Sequence, residues 1–281
     1  IPYSLELGGK DPALVLSDAD LERAANGIVW GGMWNSGQAC ISVERVYVEA
    51  PVYDEFVAKL TDKVKALRQG QDDRGWRFDV GAMATKAQRD IVTRHVDEAV
   101  AAGARVATGG KPSGAGTFFE PTVLVDVDHS MACMTQETFG PTLPVMKVAD
   151  EAEAIRLAND SMYGLSATVW SRDKERAQRV ARQLDTGAVN INDFAANGFA
   201  SEVPMGGWKQ SGIGARGGGA HGIRKYCRPQ VITSPLIPTL SSEPMWYPAS
   251  RRRTAIALGM LRAAASHGLR RIGISPKRGD R

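Results

Sequence analysis

The sequence predicts an α/β fold, with a largely parallel sheet flanked by helices. Short runs rich in β-branched residues alternate with longer segments of helical periodicity, a pattern typical of strands joined by crossover helices. The 281 residues are enough to bury a substantial core. No apolar run reaches the roughly 18 residues that span a bilayer, so we expect a globular protein.

The first predicted elements are a buried strand over 13–16 and a helix that runs to about Trp34. Ser17 and Asp20 predict a capping box at the start of this helix, because a hydroxyl and a carboxylate three residues apart can satisfy its first N–H groups. Pro51 begins the second helix, since proline is favoured in a first helical turn. Further strands are predicted at 43–49, 118–125, 142–148, 166–170, 187–192 and 224–233, and further helices at 51–68, 86–102, 150–159 and 172–184.

Charge is distributed unevenly along the chain. Residues 251–281 hold nine lysines or arginines and one acid, whereas the body is mildly acidic, so the net charge of +4 says little about the fold. The tail from 235 to 281 predicts either a basic amphipathic helix in weak contact with an anionic membrane or, as we favour, a solvated and partly disordered extension. Aromatic residues are absent after Tyr247, which argues against nucleic-acid binding.

The three cysteines, Cys40, Cys133 and Cys227, are too few and too scattered for a disulfide framework or a metal site. Together with an N-terminus that does not resemble a signal peptide, they favour a reducing, cytoplasmic location. Cys40 differs from the other two because it follows a turn-forming segment, 35–38, between a helix and a strand. A thiol at such a junction can face a cleft where backbone N–H groups stabilise an oxyanion. We expect Cys133 and Cys227 to be structural.

Glu6 is the second candidate for chemistry. It lies between Leu5 and Leu7 and is followed by Gly8-Gly9, which permits a tight turn. Apolar neighbours tend to raise the pKa of a carboxyl group towards the range of a general base. A thiol and such a carboxylate can divide an acyl chemistry into two steps: the sulfur attacks a carbonyl, and the carboxylate later activates water. Cys40 and Glu6 are therefore the candidate catalytic residues.

Two later segments extend this pattern. Gln136-Glu137-Thr138-Phe139-Gly140-Pro141 precedes the strand at 142–148, and alone it is typical of a turn with Phe139 in the core. The glycine-rich segment 203–222 contains Pro204-Met205-Gly206-Gly207 and, at 212–217, a Gly-x-Gly-x-x-Gly pattern. That pattern follows a loop rather than a strand and lacks an acid about 20 residues later, so we do not expect a dinucleotide to bind there.

In this order, Glu6-Leu7-Gly8-Gly9-Lys10, Gly37-Gln38-Ala39-Cys40 and the segments 136–141 and 204–214 resemble the active-site signatures of the aldehyde dehydrogenase superfamily, over residues 1–234. The resemblance implies that Cys40 attacks an aldehyde, that NAD or NADP accepts the hydride, and that Glu6 activates the water that hydrolyses the thioester. It implies that Glu137 binds the nicotinamide ribose and that Phe139 lies by the nicotinamide ring. Gln136 replaces an acid of the family motif, and Met205 is a candidate for lining the aldehyde tunnel.

The resemblance also divides the chain into the end of a cofactor-binding domain (1–10), a catalytic domain (11–222), an oligomerisation strand (223–234) and the basic tail (235–281). In the family, most of the cofactor-binding domain precedes the segment of Glu6, so we expect a fragment of a longer enzyme that binds NAD poorly by itself. We expect a homo-oligomer that oxidises an aliphatic aldehyde to the carboxylic acid, with succinate semialdehyde as the alternative substrate. A truncated, inactive chain that acts as an interaction or regulatory module is the alternative function.

Overall fold

The computed structural model of the chain describes residues 3–71, 75, 77–228, 230–232, 250–256, 258, 259 and 262, which fall into two units, 1–228 and 229–281. In the second unit, residues 251–256 are helical, and Ser250 Oγ accepts a hydrogen bond from the Arg253 N–H at 3.3 Å. Most of the predicted tail lies outside the described residues.

A seven-stranded sheet forms the centre of the first unit, and its strands lie in the order β3-β4-β5-β2-β1-β6-β7. Every pairing is parallel except that of β3 with β4. The predicted α/β fold with a largely parallel sheet is therefore confirmed. In chain order the strands are β1 (Asp11–Val15), β2 (Val43–Glu49), β3 (Arg105–Thr108), β4 (Thr122–Val125), β5 (Thr142–Val148), β6 (Ser166–Trp170) and β7 (Ala188–Ile191).

Side chains of the central strands alternate between the two faces of the sheet, as a strand requires. In β1, Ala13 and Val15 join one core cluster and Leu14 joins the other. Both faces are covered, so β1 is buried at all five positions and reads as an apolar run. β2 is also buried at all seven positions, although it contains Glu44 and Arg45, and both of these find buried partners.

Helices cover both faces of the sheet. One face packs against α1 and α2, which bury Ile28 and Phe56 there, and the other packs against α3 to α6. None of the helices in the described part of the chain combines the length and hydrophobicity that crossing a bilayer requires. The helices are α1 (Leu21–Met33), α2 (Tyr53–Lys65), α3 (Lys86–Ala101), α4 (Ala132–Thr135), α5 (Glu151–Asn159), α6 (Lys174–Ala181), α7 (Ala196–Phe199) and α8 (Ala220–Arg224).

The start of α1 differs from the prediction. Asp20 is the N-cap, and its side chain accepts a hydrogen bond from the Arg23 N–H at 3.1 Å. The Ser17 N–H instead donates to Glu49 Oε2 at 2.7 Å, which holds Ser17 at the end of β2. The predicted capping box is therefore wrong, because Ser17 lies before the helix rather than at its cap.

The segment 223–234, predicted as an oligomerisation strand, forms no strand in the single chain at the residues that are described. Residues 220–224 form α8, and 225–228 and 230–232 form no strand; positions 229, 233 and 234 lie outside the description. A strand is stabilised when a neighbouring strand pairs with its N–H and C=O groups, and the described residues of a single chain place no strand beside this segment. Whether it pairs with a second copy is a separate proposal, made below.

His95 predicts how the stability of this fold depends on pH. Its side chain is buried on α3, its Nδ1 lies 3.1 Å from Thr138 Oγ1, and burial lowers the pKa of His95 to about 4. Because the unfolded chain takes up this proton near pH 6.5, we expect the histidine to remove about 3 kcal/mol of unfolding free energy as the pH falls from about 6.5 to 4.

Urea unfolding at pH 7 and at pH 4 checks this prediction, with His95→Gln as the comparison. The difference in stability between the two pH values should be smaller in the variant by roughly the same amount. Equal pH dependence in both proteins contradicts the prediction, whatever the absolute stability of the variant.

Candidate active site

The structure brings the two predicted catalytic side chains into contact. The Cys40 thiol donates a hydrogen bond from Sγ to Glu6 Oε1 at 3.4 Å. Both side chains are half-buried, and each precedes a central strand, Glu6 before β1 and Cys40 before β2. Because β1 and β2 are parallel neighbours, their amino ends meet at one edge of the sheet. A nucleophile and a base within reach of each other are what the predicted chemistry needs.

The glycine-rich segment 203–222 holds Glu6 in place. Residues Leu5–Glu6 pair antiparallel with Gly212–Ile213, and the Leu7 N–H donates to the Ser211 carbonyl at 2.9 Å. Gly212 has φ of 148°, and a Cβ there would lie 2.3 Å from the Leu5 carbonyl oxygen. Only glycine tolerates both conditions, so this residue lets the loop approach the catalytic segment. Two further short pairs, Pro204–Met205 with Arg216–Gly217 and Tyr163–Gly164 with Trp208–Lys209, complete the loop.

Gly9 sets the distance between the two catalytic segments. A Cβ at Gly9 would lie 2.3 Å from the Cys40 carbonyl oxygen and 2.9 Å from Asp11 Oδ1. Any side chain at this position therefore pushes the two segments apart. The second glycine of the Glu6–Lys10 segment is thus explained by a close approach of backbone to backbone, rather than by a turn alone.

Cys40 is a protonated thiol at neutral pH in this arrangement. Burial raises the pKa of Cys40 to about 11, and the negative charge of Glu6 and its hydrogen bond add to the effect. Asp11 contributes in the same direction, and Arg216 opposes it. The thiolate must therefore be made by removing a proton, and Glu6 is the base in contact with the sulfur.

Glu137 lies beside the catalytic segment. Its Oε1 accepts a hydrogen bond from the Gly9 N–H at 2.9 Å, and a Cβ at Gly8 would lie 2.5 Å from its Oε2. Burial raises the pKa of Glu137. The half-buried carboxylate packs against the glycines of the catalytic segment, so it is positioned by the same segment that carries Glu6.

A buried ion pair fixes the loop that carries Glu137 and Phe139. Lys10 Nζ lies 2.7 Å from Glu44 Oε2, and the same carboxylate accepts the N–H groups of Thr138 at 2.7 Å and Phe139 at 2.8 Å. Phe139 has φ of 52°, which is uncommon for a residue with a side chain and is held here by these bonds. The Phe139 ring is half-buried rather than in the core.

Sequence reasoning missed Glu44 and Arg216. Glu44 lies inside a fully buried strand, and a carboxylate in such a strand needs a partner, which was the available signal.

Arg216 Nε lies 3.8 Å from Glu6 Oε2, and its Nη2 lies 3.1 Å from Met205 Sδ. Met205, predicted as a tunnel residue, is buried in the core cluster with this arginine contact. Nothing in the sequence indicated the arginine, because it lies in a glycine-rich loop.

Exposed aromatic rings cluster at the end of α1. Trp34, at the end of α1, has its ring centroid 6.2 Å from that of Phe199 and 6.1 Å from that of Trp30. A Cβ at Gly198 would lie 2.9 Å from Ile41 Cδ1, so α7 packs beside the residue that follows Cys40. Trp30, Trp34 and Phe199 are 47%, 41% and 66% exposed, which is unusual for rings of this size.

The other two cysteines differ in their surroundings. Cys133 is buried in the second core cluster, and burial raises the pKa of its thiol to about 11. Cys227 is exposed after α8. Within the described ranges, no group of three or more histidine, cysteine, aspartate or glutamate side chains has the geometry to hold a metal ion.

Comparison with known proteins places this site in a family. The model of the aldehyde dehydrogenase family matches residues 1–232. The chain belongs to the aldehyde dehydrogenase family. It is 48% identical over 250 residues to 4,4'-diapolycopene aldehyde oxidase of a Methylomonas species, covering 89% of this chain and 46% of that protein. It is 43% identical to a candidate NADP(+) succinate-semialdehyde dehydrogenase of Mycolicibacterium smegmatis, covering 83% of this chain and 46% of the relative.

Solved aldehyde dehydrogenase structures share the fold. A candidate aldehyde dehydrogenase from Anabaena variabilis superposes with a TM-score of 0.82 at 42% identity, covering 88% of this chain and 53% of that one. Betaine aldehyde dehydrogenase of Staphylococcus aureus, in complex with NAD+, superposes with a TM-score of 0.74 at 40% identity. The match covers 79% of this chain and 44% of that one. The chain spans about half the length of the curated relatives it matches.

Replacing Glu6 with glutamine should lower the pKa of Cys40. The variant removes a negative charge beside the thiol, so the thiolate forms at lower pH, while burial still keeps the pKa above its ordinary value. The measurement is the pH dependence of Cys40 alkylation in a Cys227→Ser background, followed by peptide mass spectrometry. Glu98→Gln, at an exposed site on α3, is the matched control and should not move the midpoint. A midpoint that rises or stays constant in Glu6→Gln contradicts the prediction.

Proposed function

We propose that the whole protein oxidises an aliphatic aldehyde to its carboxylic acid with NAD or NADP, through a thioester on Cys40. The observation that carries the proposal is the 3.4 Å contact between Cys40 Sγ and Glu6 Oε1. It supplies a nucleophile and a base at the amino ends of two neighbouring strands, in a chain of the aldehyde dehydrogenase family.

Glu6 handles the protons of both halves of the reaction. It first takes the Cys40 proton, and the sulfur then attacks the aldehyde carbon to give a thiohemiacetal. The thiohemiacetal then loses a hydride from its carbon and a proton from its oxygen and becomes a thioester. Glu6 has by then released its first proton to solvent, so it can take a proton from the water that hydrolyses the thioester and frees the Cys40 sulfur. The Cys40 backbone N–H is our candidate for part of the oxyanion hole.

The residues around Glu137 fit a nicotinamide cofactor. The Glu137 carboxylate uses Oε1 for Gly9, which leaves Oε2 to accept hydroxyl groups, and the half-buried Phe139 ring can pack on a flat group. We propose that Glu137 binds the ribose of the cofactor and that Phe139 lies by its nicotinamide. When bound, the cofactor supplies the acceptor for the hydride. The relatives support either form, since one is named for NADP(+) and one structure contains NAD+.

The substrate we propose is an apolar aldehyde. Trp30, Trp34 and Phe199 present apolar surface at the end of α1, from which a short turn leads along the chain to Cys40. Such rings favour a hydrocarbon group over a carboxylate. Of the relatives, one is named 4,4'-diapolycopene aldehyde oxidase, and others are named for succinate semialdehyde, which is the alternative.

Turnover should depend on Cys40 and Glu6 together. We expect Cys40→Ser to abolish aldehyde oxidation by the whole protein and Glu6→Gln to slow it by about 10²–10⁴-fold, because general-base catalysis is lost. The control is Glu98→Gln at an exposed glutamate on α3, which should keep the activity. NAD(P)H formation measures turnover, and intact mass spectrometry should detect an acyl group on Cys40. Activity retained in Cys40→Ser overturns the proposal.

We also propose that the protein is a homo-oligomer. β7 is an edge strand of the seven-stranded sheet, so its outer N–H and C=O groups are available for pairing. Val231 and Ile232 are 85% and 84% exposed, so their apolar side chains have little contact with the rest of the described chain. We propose that the segment 223–234 becomes a strand only when it pairs with a second copy.

Charges in this segment should weaken the assembly. We expect Val231→Asp combined with Ile232→Asp to shift the protein to lower mass by multi-angle light scattering, since aspartate disfavours a strand and a buried interface. Val100→Asp, at an exposed valine in α3, is the control and should leave the mass unchanged. A monomeric wild type at high concentration contradicts the proposal.

A further inference from the structure

Asp11 is a buried carboxyl group that the proposed mechanism does not use. It is the first residue of β1 and is 3% exposed. Its Oδ1 accepts a hydrogen bond from the Ser166 N–H at 3.1 Å. Its Oδ2 is also buried and has no hydrogen-bond partner within the described part of the chain. Buried polar atoms without a partner are rare in folded proteins, so this oxygen needs an explanation.

Asp11 lies close to the backbone of the catalytic cysteine. A Cβ placed on Gly9 would lie 2.9 Å from Asp11 Oδ1 and 2.3 Å from the Cys40 carbonyl oxygen, so both oxygens face Gly9 on the same side. In the sheet, Asp11 pairs with Val43, which follows Cys40 closely in the chain. A negative charge on Asp11 would raise the pKa of the Cys40 thiol. The state of this carboxyl group therefore affects the nucleophile.

The Ser166 bond connects Asp11 to a second element beside the catalytic turn. Ser166 begins β6, and its Oγ accepts a hydrogen bond from Asn197 Nδ2 at 3.0 Å. Asn197 belongs to α7, which packs beside Ile41, the residue after Cys40. Asp11 thus links β1 to β6 and, through β6, to the helix next to the catalytic turn.

The surroundings of Asp11 favour its neutral form. Burial has the largest effect and raises the pKa of Asp11 well above its usual range. The Ser166 hydrogen bond and the charge of Arg45 lower this pKa by smaller amounts. Arg45 donates its Nε–H to the Lys10 carbonyl, and within the described ranges neither oxygen of Asp11 accepts a hydrogen bond from a cation. A carboxyl group buried in this way keeps its proton.

The titratable groups that face Asp11 are mainly acids. Glu44 of β2 and Glu137 of the loop before β5 both raise the pKa of Asp11 through their negative charge. The catalytic turn contributes the Cys40 thiol, on which a charged Asp11 has the same effect. The side chains that β6 and α7 contribute are a hydroxyl and an amide, which do not titrate. A negative charge on Asp11 and one on Cys40 therefore disfavour each other.

We propose that Asp11 is a positioning residue for the reaction at Cys40, held as a neutral carboxylic acid. The acid accepts the Ser166 N–H and so holds β6 against β1, but it adds no second negative charge beside the sulfur. Only when Asp11 loses its proton at alkaline pH does its charge oppose the thiolate that Glu6 generates. This role rests on the proposed function, because it requires that Cys40 reacts as a thiolate.

The rate of Cys40 alkylation tests this charge state in the full chain. The parent protein carries Cys227→Ser, and peptide mass spectrometry follows Cys40 from mildly acidic to alkaline pH. Because the thiolate is the reactive form, the rate reports how readily Cys40 ionises. We expect Asp11→Asn to react as fast as the parent near neutral pH, since the side chain at this position is then uncharged in both. At alkaline pH the variant should react about three- to tenfold faster, because only the parent gains a charge.

Asp97→Asn is the matched control, because it makes the same change at an exposed site on α3 and should follow the parent at every pH. A rate for Asp11→Asn that differs from the parent near neutral pH, in either direction, overturns the inference. Curves that coincide at every pH also overturn it, since they show that the charge of Asp11 does not affect the sulfur. Neither result bears on the proposed function, which fails instead if Cys40→Ser retains aldehyde oxidation.

Turnover of the whole protein measures the positioning role. Asp11→Ala cannot accept the Ser166 N–H, so we expect kcat to fall about tenfold or more with little change in KM, because the nucleophile is displaced. Asp11→Asn keeps an acceptor oxygen and should recover most of this loss at neutral pH. Equal turnover in the two variants overturns the positioning role.

Infrared spectroscopy observes the proton itself and needs no substitution. A protonated carboxyl group has a carbonyl band separate from that of a carboxylate, and ¹³C labelling of aspartate distinguishes it from Glu137. Asp11 is the buried aspartate of the described residues, so the labelled band reports this side chain. We expect the band at neutral pH and its loss at alkaline pH. Its absence at neutral pH overturns the inference.

Discussion

The buried pair of Lys10 and Glu44 is the constraint on which the site depends. Lys10 is 1% exposed, and burial lowers the pKa of its ammonium, although Glu44 opposes this shift. The pair joins the segment of Glu6 to β2, and two N–H bonds join β2 to the loop of Glu137. Removing one partner leaves an uncompensated buried charge, which costs about 3–5 kcal/mol, so the three parts of the site are fixed together.

The site lies at an unusual edge of the sheet. Ligands of open α/β sheets generally bind at the carboxyl ends of the strands, whereas Glu6, Cys40 and Glu137 all precede their strands. At the carboxyl ends, Arg176 closes the edge, with ion pairs to Asp18 at 2.8 Å and to Glu49 and Glu151 at 2.7 Å. The amino edge instead has glycine-rich segments that let backbones approach closely.

Apolar periodicity was sufficient to predict the central strands. The pairing of Cys40 with Glu6 in one site was implied by the resemblance of their two segments to a known family, because periodicity does not determine a contact between residues 34 positions apart. The sequence was insufficient where a partner distant in sequence decides the outcome. β3 lies at a partly exposed edge and lacks a clear alternation, so its pairing with β4 was not predicted. The segment 223–234 has the composition of a strand, but no described strand lies beside its described residues. Arg216 is brought to Glu6 by two pairings of short strands, Leu5–Glu6 with Gly212–Ile213 and Pro204–Met205 with Arg216–Gly217.

The protonation state of Cys40 follows from the same geometry. A sulfur beside a carboxylate and inside the fold is a poor thiolate, so at neutral pH the resting site holds a thiol and a base in contact. Oxidants react with thiolates far more readily than with thiols, so this arrangement protects the sulfur between turnovers. The thiol and the carboxylate already share a hydrogen bond, so the proton can transfer directly from Sγ to Glu6. Arg216 lies near the second Glu6 oxygen, and its positive charge partly offsets the effect of the carboxylate on the pKa of Cys40. In the mechanism that we propose, the carboxylate that raises the pKa of the thiol is therefore also the group that activates it.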